Sequence, residues 1–330
     1  MAQMTIISLS LSLLGIFFGL FLLWRAGDKS VDYALAVAEG VGVSPFIVGS
    51  LLLAVLTGIP ELVVGIVSIF KGIPEISIGD ILASNLSDIS IVVLIPSFIA
   101  GKLSLKGVAK TSILYMLSIS GIVMTLFLLL GSINRFAGLL LIVFYFFSIH
   151  FLWRQNHISE LIRHETDPLI SSYNVKKNLL KLSGSMLIVI LSGGLVVTIS
   201  EFLATQLGVF SGMIGALVIS LGTSLPELSV GINAARRGST DLAIGSAVGS
   251  VFSQALLVLG VVASCSSTAI NLRPFLTVLP FVLMLYGYFG YRIYKSGEIR
   301  FKDSIVLVSI YLVFYISHFI KIVPDVLKNF

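Results

Sequence analysis

Two short stretches carry the groups most able to do chemistry: TGIPEL at Thr57–Leu62 and TSLPEL at Thr223–Leu228. In each, a glutamate follows a proline inside an otherwise oily run, giving Glu61 and Glu227. Helical spacing sets Ala54, Thr57 and Glu61 on one face, and Ser220, Thr223 and Glu227 on another. A further segment downstream of each repeats the pattern, with Ser84 four residues before Asp88 and Ser250 four before Gln254. Carboxylates, hydroxyls and an amide make an all-oxygen ligand set, which suits a hard cation such as Ca²⁺. Neither His nor Cys occurs in these segments, which disfavours zinc and copper. Pro60 and Pro226 add to the set, because a helical proline leaves the carbonyl four residues back without its donor. The freed groups are the carbonyls of Leu56 and Gly222.

The elements that must position these residues are membrane helices. The 330-residue chain is 57% hydrophobic and 11% charged, with a mean hydropathy of +1.07. A soluble domain carries roughly 25% charged residues, and several windows here reach the ~20 apolar residues that span a bilayer. Polar punctuation predicts ten spans near 5–24, 43–70, 78–101, 110–131, 134–153, 181–206, 209–235, 241–266, 273–292 and 302–322. The apolar N-terminal run is too long for a signal peptide and reads as the first span. Five of the twenty-one Lys and Arg (Lys71, Arg135, Arg273, Lys321, Lys328) fall on the N-terminal side of the spans. The other sixteen fall opposite, which places the basic loops in the cytoplasm and both termini outside the cell. Residues 154–180 form the one long polar segment, expected as a cytoplasmic linker or short amphipathic helix. A net charge of +5 spread over short loops, without basic–aromatic interleaving, argues against nucleic acid as a partner. The single Cys265 excludes an internal disulfide, and packing is the expected role of its thiol. Trp24 and Trp153 are expected as interfacial anchors.

The two motifs are offset by 166 residues, and the register holds without a gap: Gly42 with Gly208, Gly65 with Gly231, Gly79 with Gly245, Ser84 with Ser250. The chain is therefore read as a duplicated unit, with 1–153 and 181–330 as the two copies. Five spans per unit force the second copy to enter the membrane from the other face. The fold expected is all-α, ten transmembrane helices in two inverted five-helix repeats, with broken helices at a central ion site. That architecture belongs to secondary transporters working by alternating access. Acids at mid-membrane mark such a route, and acids crowded in one cage let a proton stand in partly for a metal ion. Asn85 is expected to bond across helices or to bind an ion.

The motifs resemble the sodium/calcium exchanger family, within the cation/calcium exchanger superfamily. The resemblance runs over nearly the whole chain and is carried by GTSLPEL (Gly222–Leu228), IGSAVGSVFSQ (Ile244–Gln254), LTGIPEL (Leu56–Leu62) and IGDILASNLSD (Ile78–Asp88). It implies Ca²⁺ held by Glu61 and Glu227 with the carbonyls of Thr57 and Thr223. It implies flanking Na⁺ sites of Ala54, Thr57 and Ser84 on one side and Ser220, Thr223 and Ser250 on the other. It also implies that the first and sixth spans slide as a gate. Three departures stand out. Leu56–Thr57–Gly58 replaces the usual Gly-Thr-Ser, Ala83–Ser84–Asn85 and Gly249–Ser250–Val251 replace Gly-Ser-Asn, and Asp88 with Gln254 inverts the usual order of amide and acid. The reading is a secondary antiporter, not an enzyme, that exchanges Ca²⁺ for Na⁺, with no cofactor and no obligatory protein partner. A proton/calcium antiporter, a passive cation channel and a membrane scaffold are the alternatives.

Overall fold

The computed structural model describes residues 6–40, 58–105, 107–161 and 175–327. Among these lie ten helices: α1 (Ile6–Gly40), α2 (Ile59–Phe70), α3 (Pro74–Ala100), α4 (Gly107–Leu130), α5 (Arg135–Leu161), α6 (Val175–Leu207), α7 (Ser211–Arg236), α8 (Thr240–Cys265), α9 (Leu279–Ser296) and α10 (Phe301–Leu327). Nine are long and apolar enough to cross a membrane. The exception is the 12-residue α2, which closes the predicted span 43–70. The first part of that span lies outside the described residues.

Polarity is inside out. Large apolar side chains such as Leu11, Phe18, Phe147 and Leu191 are exposed, while Glu61, Asp88, Glu227 and Gln254 are fully buried. Lipid rewards this arrangement, since it hydrates no polar group and costs nothing at an apolar surface.

Among the described residues, four short strands form two antiparallel ribbons, β1 (Lys102–Ser104) with β4 (Glu298–Arg300) and β2 (Ser132–Ile133) with β3 (Ile270–Asn271). The 24-residue α4, about 36 Å long, separates β1 from β2, so the ribbons sit at opposite ends of the bundle. Adding 166 carries Ser104 onto Ile270 and Ser132 onto Glu298, so the two ribbons are counterparts with their strands exchanged. Helix packing repeats the exchange. A Cβ on Gly65 of α2 would come 2.8 Å from Val262 of α8, and one on Gly231 of α7 would come 3.0 Å from Pro96 of α3. Residues 65 and 96 are the counterparts of 231 and 262, so one contact is made twice.

The tightest crossing is between α3 and α7. A Cβ on Gly79 would meet the Gly212 carbonyl oxygen at 1.9 Å, and one on Gly215 the Ile76 carbonyl oxygen at 2.1 Å. Only glycine permits such backbone contact, a device common between membrane helices.

Three helix ends depart from the predicted spans. α1 runs to Gly40 rather than ending near residue 24. Its tail is rich in alanine, a strong helix former, and carries an ion pair between Lys29 and Asp32, 3.0 Å long. Trp24 is therefore mid-helix and donates to Ser229 Oγ on α7 at 3.3 Å. The expected linker 154–180 is partly helical, because α5 continues to Leu161 and α6 begins at Val175. Hydropathy marks where lipid ends, while a helix can continue into water. Cys265, expected to pack, is exposed at the end of α8.

Candidate functional site

Each Pro-Glu motif starts a helix rather than sitting within one. Gly58 (φ −76°, ψ 4°) and Ser224 (φ −76°, ψ 0°) adopt the same backbone conformation just before α2 and before the Leu225–Arg236 segment of α7. The negative φ makes no demand for glycine at position 58. Pro60 and Pro226 lie in the first turn, where a missing N–H costs nothing. Glu61 and Glu227 follow in the same turn, at the positive end of the helix dipole. On the other side of the break, Ser220–Thr223 presents the carbonyl end of the preceding segment. Ala54, Thr57 and the Leu56 carbonyl lie outside the described residues.

The second repeat carries two further irregularities, π-helical turns at Gly215–Ile219 and at Gln254–Val258. Such turns frequently accompany functional sites. In the first repeat, at the place matching Gln254, α3 breaks at Ile89 and Ser90 just after Asp88. Both repeats thus disturb their helix at the same level, by different means.

The side chains converge on Gln254. Its Nε2 lies 3.3 Å from Glu61 Oε1, 3.2 Å from Asp88 Oδ2 and 3.0 Å from Ser250 Oγ. Ser250 Oγ in turn donates to Glu227 Oε1 at 2.9 Å. Acids from α2, α3 and α7 are thereby tied through two side chains of α8. A second line of bonds sets the amide's direction. The Tyr286 hydroxyl of α9 donates to Asn85 Oδ1 at 2.8 Å, and Asn85 Nδ2 donates to Gln254 Oε1 at 2.9 Å. With Gln254 Oε1 so engaged, its N–H₂ faces the acids. Asn85 thus takes the cross-helix role of the two expected for it.

Ser84 stands apart from this group. It approaches Thr223 Oγ1 at 3.1 Å and donates to the Ser220 carbonyl at 3.4 Å and to Asp80 Oδ1 at 3.2 Å. Thr223 Oγ1 donates to the same Asp80 oxygen at 2.8 Å. The described residues therefore group Ser84 with Ser220 and Thr223, and Ser250 with Glu227 and Gln254. The resemblance implied a different partition, with Ser250 joining Ser220 and Thr223. The reason is the α3–α7 crossing at Gly79 and Gly215, which lays Ser84 against the Ser220–Thr223 segment. Sequence reasoning missed Asp80 and Tyr286. Asp80 sits in the quoted segment IGDILASNLSD, four residues before Ser84 and eight before Asp88, so the spacing that singled out those two extends to it.

All four acids (Glu61, Asp80, Asp88, Glu227) are fully buried, and Glu61, Asp80 and Asp88 form no ion pair with Lys or Arg among the described residues. Buried charge without a counter-charge costs several kcal/mol per ion. No three Asp, Glu, His or Cys among the described residues crowd one point as a ready metal cluster. A cation here would draw on mixed ligands, meaning carboxylates from both halves with hydroxyls, an amide and carbonyls between them.

The family model described as sodium/calcium exchanger protein matches residues 11–154 and 178–319, covering both halves and sparing the segment between. The chain belongs to the sodium/calcium exchanger family. Sodium/calcium exchanger MaX1 of Methanosarcina acetivorans is 23% identical, over 91% of this chain and 96% of its own. Inner membrane protein YrbG of Escherichia coli is 25% identical, over 73% and 76%. The fold matches that of the sodium-calcium exchanger NCX_Mj with a TM-score of 0.63 at 20% identity, over 94% of this chain and 98% of that one. Structures of NCX_Mj include crystals soaked with Na⁺ and Sr²⁺ or with Na⁺ and Ca²⁺. This exchanger-family chain is accordingly a multi-pass membrane transporter of the cation/calcium exchange class. Among the described residues of this family member, the acids occupy the place where the inverted halves cross.

Proposed function

We propose that this protein is a secondary antiporter that exchanges Ca²⁺ for Na⁺ by alternating access, with both termini outside the cell. The observation that carries the reading is the convergence on Gln254, whose single amide nitrogen reaches Glu61 of one half while its neighbour Ser250 holds Glu227 of the other. Two acids of opposite halves at one buried point form a cage whose charge must be filled to cross the membrane in either direction. Filling by Ca²⁺ and filling by monovalent ions then exclude one another, and that competition is the exchange. Ca²⁺ prefers carboxylate oxygen among hard ligands. Glu61 and Glu227 are its ligands, with Asp88, Thr57, Thr223, Ser84, Ser250, Ala54, Ser220 and Gln254 completing the ion sites. The two copies are 1–153 and 181–330.

The test is uptake of radioactive Ca²⁺ into reconstituted vesicles with Na⁺, K⁺ and H⁺ gradients imposed separately. An outward Na⁺ gradient is expected to drive uptake, with Ca²⁺/Ca²⁺ exchange persisting when Na⁺ is absent. Uptake driven only by a pH gradient replaces Na⁺ with the proton. Ca²⁺ flux down its own gradient without any counter-ion makes the protein a channel and overturns the proposal.

A further inference from the structure

Asp80 belongs to no ligand set considered so far, yet it is fully buried, and its Oδ2 has no hydrogen-bond partner among the described residues. Its Oδ1 accepts from Thr223 Oγ1 and Ser84 Oγ, so the carboxyl faces the Ser220–Thr223 segment. Ser84 also reaches the Ser220 carbonyl. One carboxylate, two hydroxyls and one carbonyl from two helices thus lie within hydrogen-bonding reach of one another.

This group is separate from the Gln254 convergence. Asp80 and Asp88 share a face of α3 but lie about 12 Å apart along its axis, and they have no hydrogen-bond partner in common. The repeat counterpart of Asp80 is Ser246, so the second half brings no matching acid. The site is lopsided by one negative charge.

We propose that Asp80 is a further ligand, beside the family-implied ion-site residues Ser84, Thr223 and Ser220, for one monovalent metal cation of Na⁺ size. This rests on the reading of the protein as a cation exchanger and adds a ligand that the family resemblance does not supply. A single carboxylate balances a single positive charge, whereas a divalent ion prefers several. An uncompensated carboxylate at this depth is costly, and among the described residues no Lys or Arg pairs with Asp80. A metal ion bound by Oδ2 supplies the missing partner while Oδ1 keeps its hydroxyl donors.

The experiment measures thermal unfolding of the purified full-length protein in detergent, titrated with NaCl against choline chloride at fixed ionic strength, and separately with CaCl₂. A bound ion raises the midpoint in proportion to the logarithm of its concentration. For Asp80→Asn, the Na⁺ concentration giving half the effect is expected to rise by at least about tenfold, the scale set when a buried charge loses its partner. Its Ca²⁺ response is expected to persist, which also shows that the variant is folded. Asp80→Ser serves as the second variant where Asp80→Asn does not fold, with the same expectation. An unchanged Na⁺ response in the variant overturns the site, as does an equal weakening of Na⁺ and Ca²⁺, which marks Asp80 as structural. A wild-type protein that responds to Ca²⁺ but not to Na⁺ overturns this site and Na⁺ as the counter-ion, and leaves the Ca²⁺ site standing. One that responds to neither overturns the exchanger reading with it.

Discussion

Replacing Gly79 by alanine tests whether the α3–α7 crossing holds the ion site together. The added methyl carbon would sit 1.9 Å from the Gly212 carbonyl oxygen, where ordinary contact begins at 3.4 Å. The obstacle is backbone, so no rotamer change relieves it, and the helices must part by about 1.5 Å. Overpacking of this kind costs roughly 1–3 kcal/mol, against which alanine returns about 0.5–1 kcal/mol of helix preference. The same separation stretches the Thr223–Asp80 and Ser84–Thr223 bonds from 2.8 and 3.1 Å to beyond hydrogen-bonding reach. The net cost is up to about 2.5 kcal/mol, so Gly79→Ala is expected to lower the unfolding midpoint in detergent by up to roughly 5 °C and to cut Na⁺-driven Ca²⁺ uptake more than its loss of stability explains. Gly215→Ala, on the other side of the same crossing, is expected to behave alike. Gly287→Ala is the control, being in mid-helix with nothing within 4 Å of the new carbon, and is expected to be neutral or slightly stabilising. Equal effects at positions 79 and 287 would refute the reasoning, for the crossing would then tolerate a methyl group.

Glu61→Gln and Glu227→Gln, singly and together, are expected to abolish Ca²⁺ exchange in vesicles while leaving a folded protein by size-exclusion chromatography. Retained exchange in the double variant removes both from the site. Tyr286→Phe strips Asn85 Oδ1 of its donor and is expected to cost about 1–3 kcal/mol, the price of a buried unsatisfied acceptor; denaturant titration and Ca²⁺ uptake read it together. At one end of the bundle, Lys102 and Arg300 hold the Glu298 carboxyl below its ordinary value. A depressed carboxyl stabilises the fold above its unfolded pKa and stops doing so as pH falls through the folded one. Protection from hydrogen exchange at 102–104 and 298–300, taken relative to the intrinsic rate at each pH, should accordingly fall below about pH 4.5, and Glu298→Gln should show the lower protection already at neutral pH.

What the sequence revealed and what it hid follow from the kind of signal each feature leaves. Glu61 and Glu227 stood out because proline precedes both and the 166-residue offset repeats them. Asp80 has no such echo, since Ser246 stands opposite it, and a search guided by symmetry passes over a residue that breaks symmetry. Tyr286 lies on α9, far from either motif, and only packing brings it to Asn85. The spans were legible from hydropathy, yet α1 outlasts its oily stretch because Ala34, Ala36 and Ala38 favour helix without being strongly apolar. The ribbons are two or three residues per strand, too short for any alternation to register. The partition of hydroxyls was hidden because it depends on where Gly79 and Gly215 let two backbones touch.

The ribbons also bear on how such a chain is made. Each takes one strand from either half, and Lys102 must wait for Glu298, 196 residues later, before its partner exists. The first half thus leaves the ribosome with open strand edges and, at Gly65, a notch whose occupant Val262 is still untranslated. Insertion of the early helices has to run well ahead of their assembly, and the cell's quality control meets a half-built protein that is obliged to look unfinished.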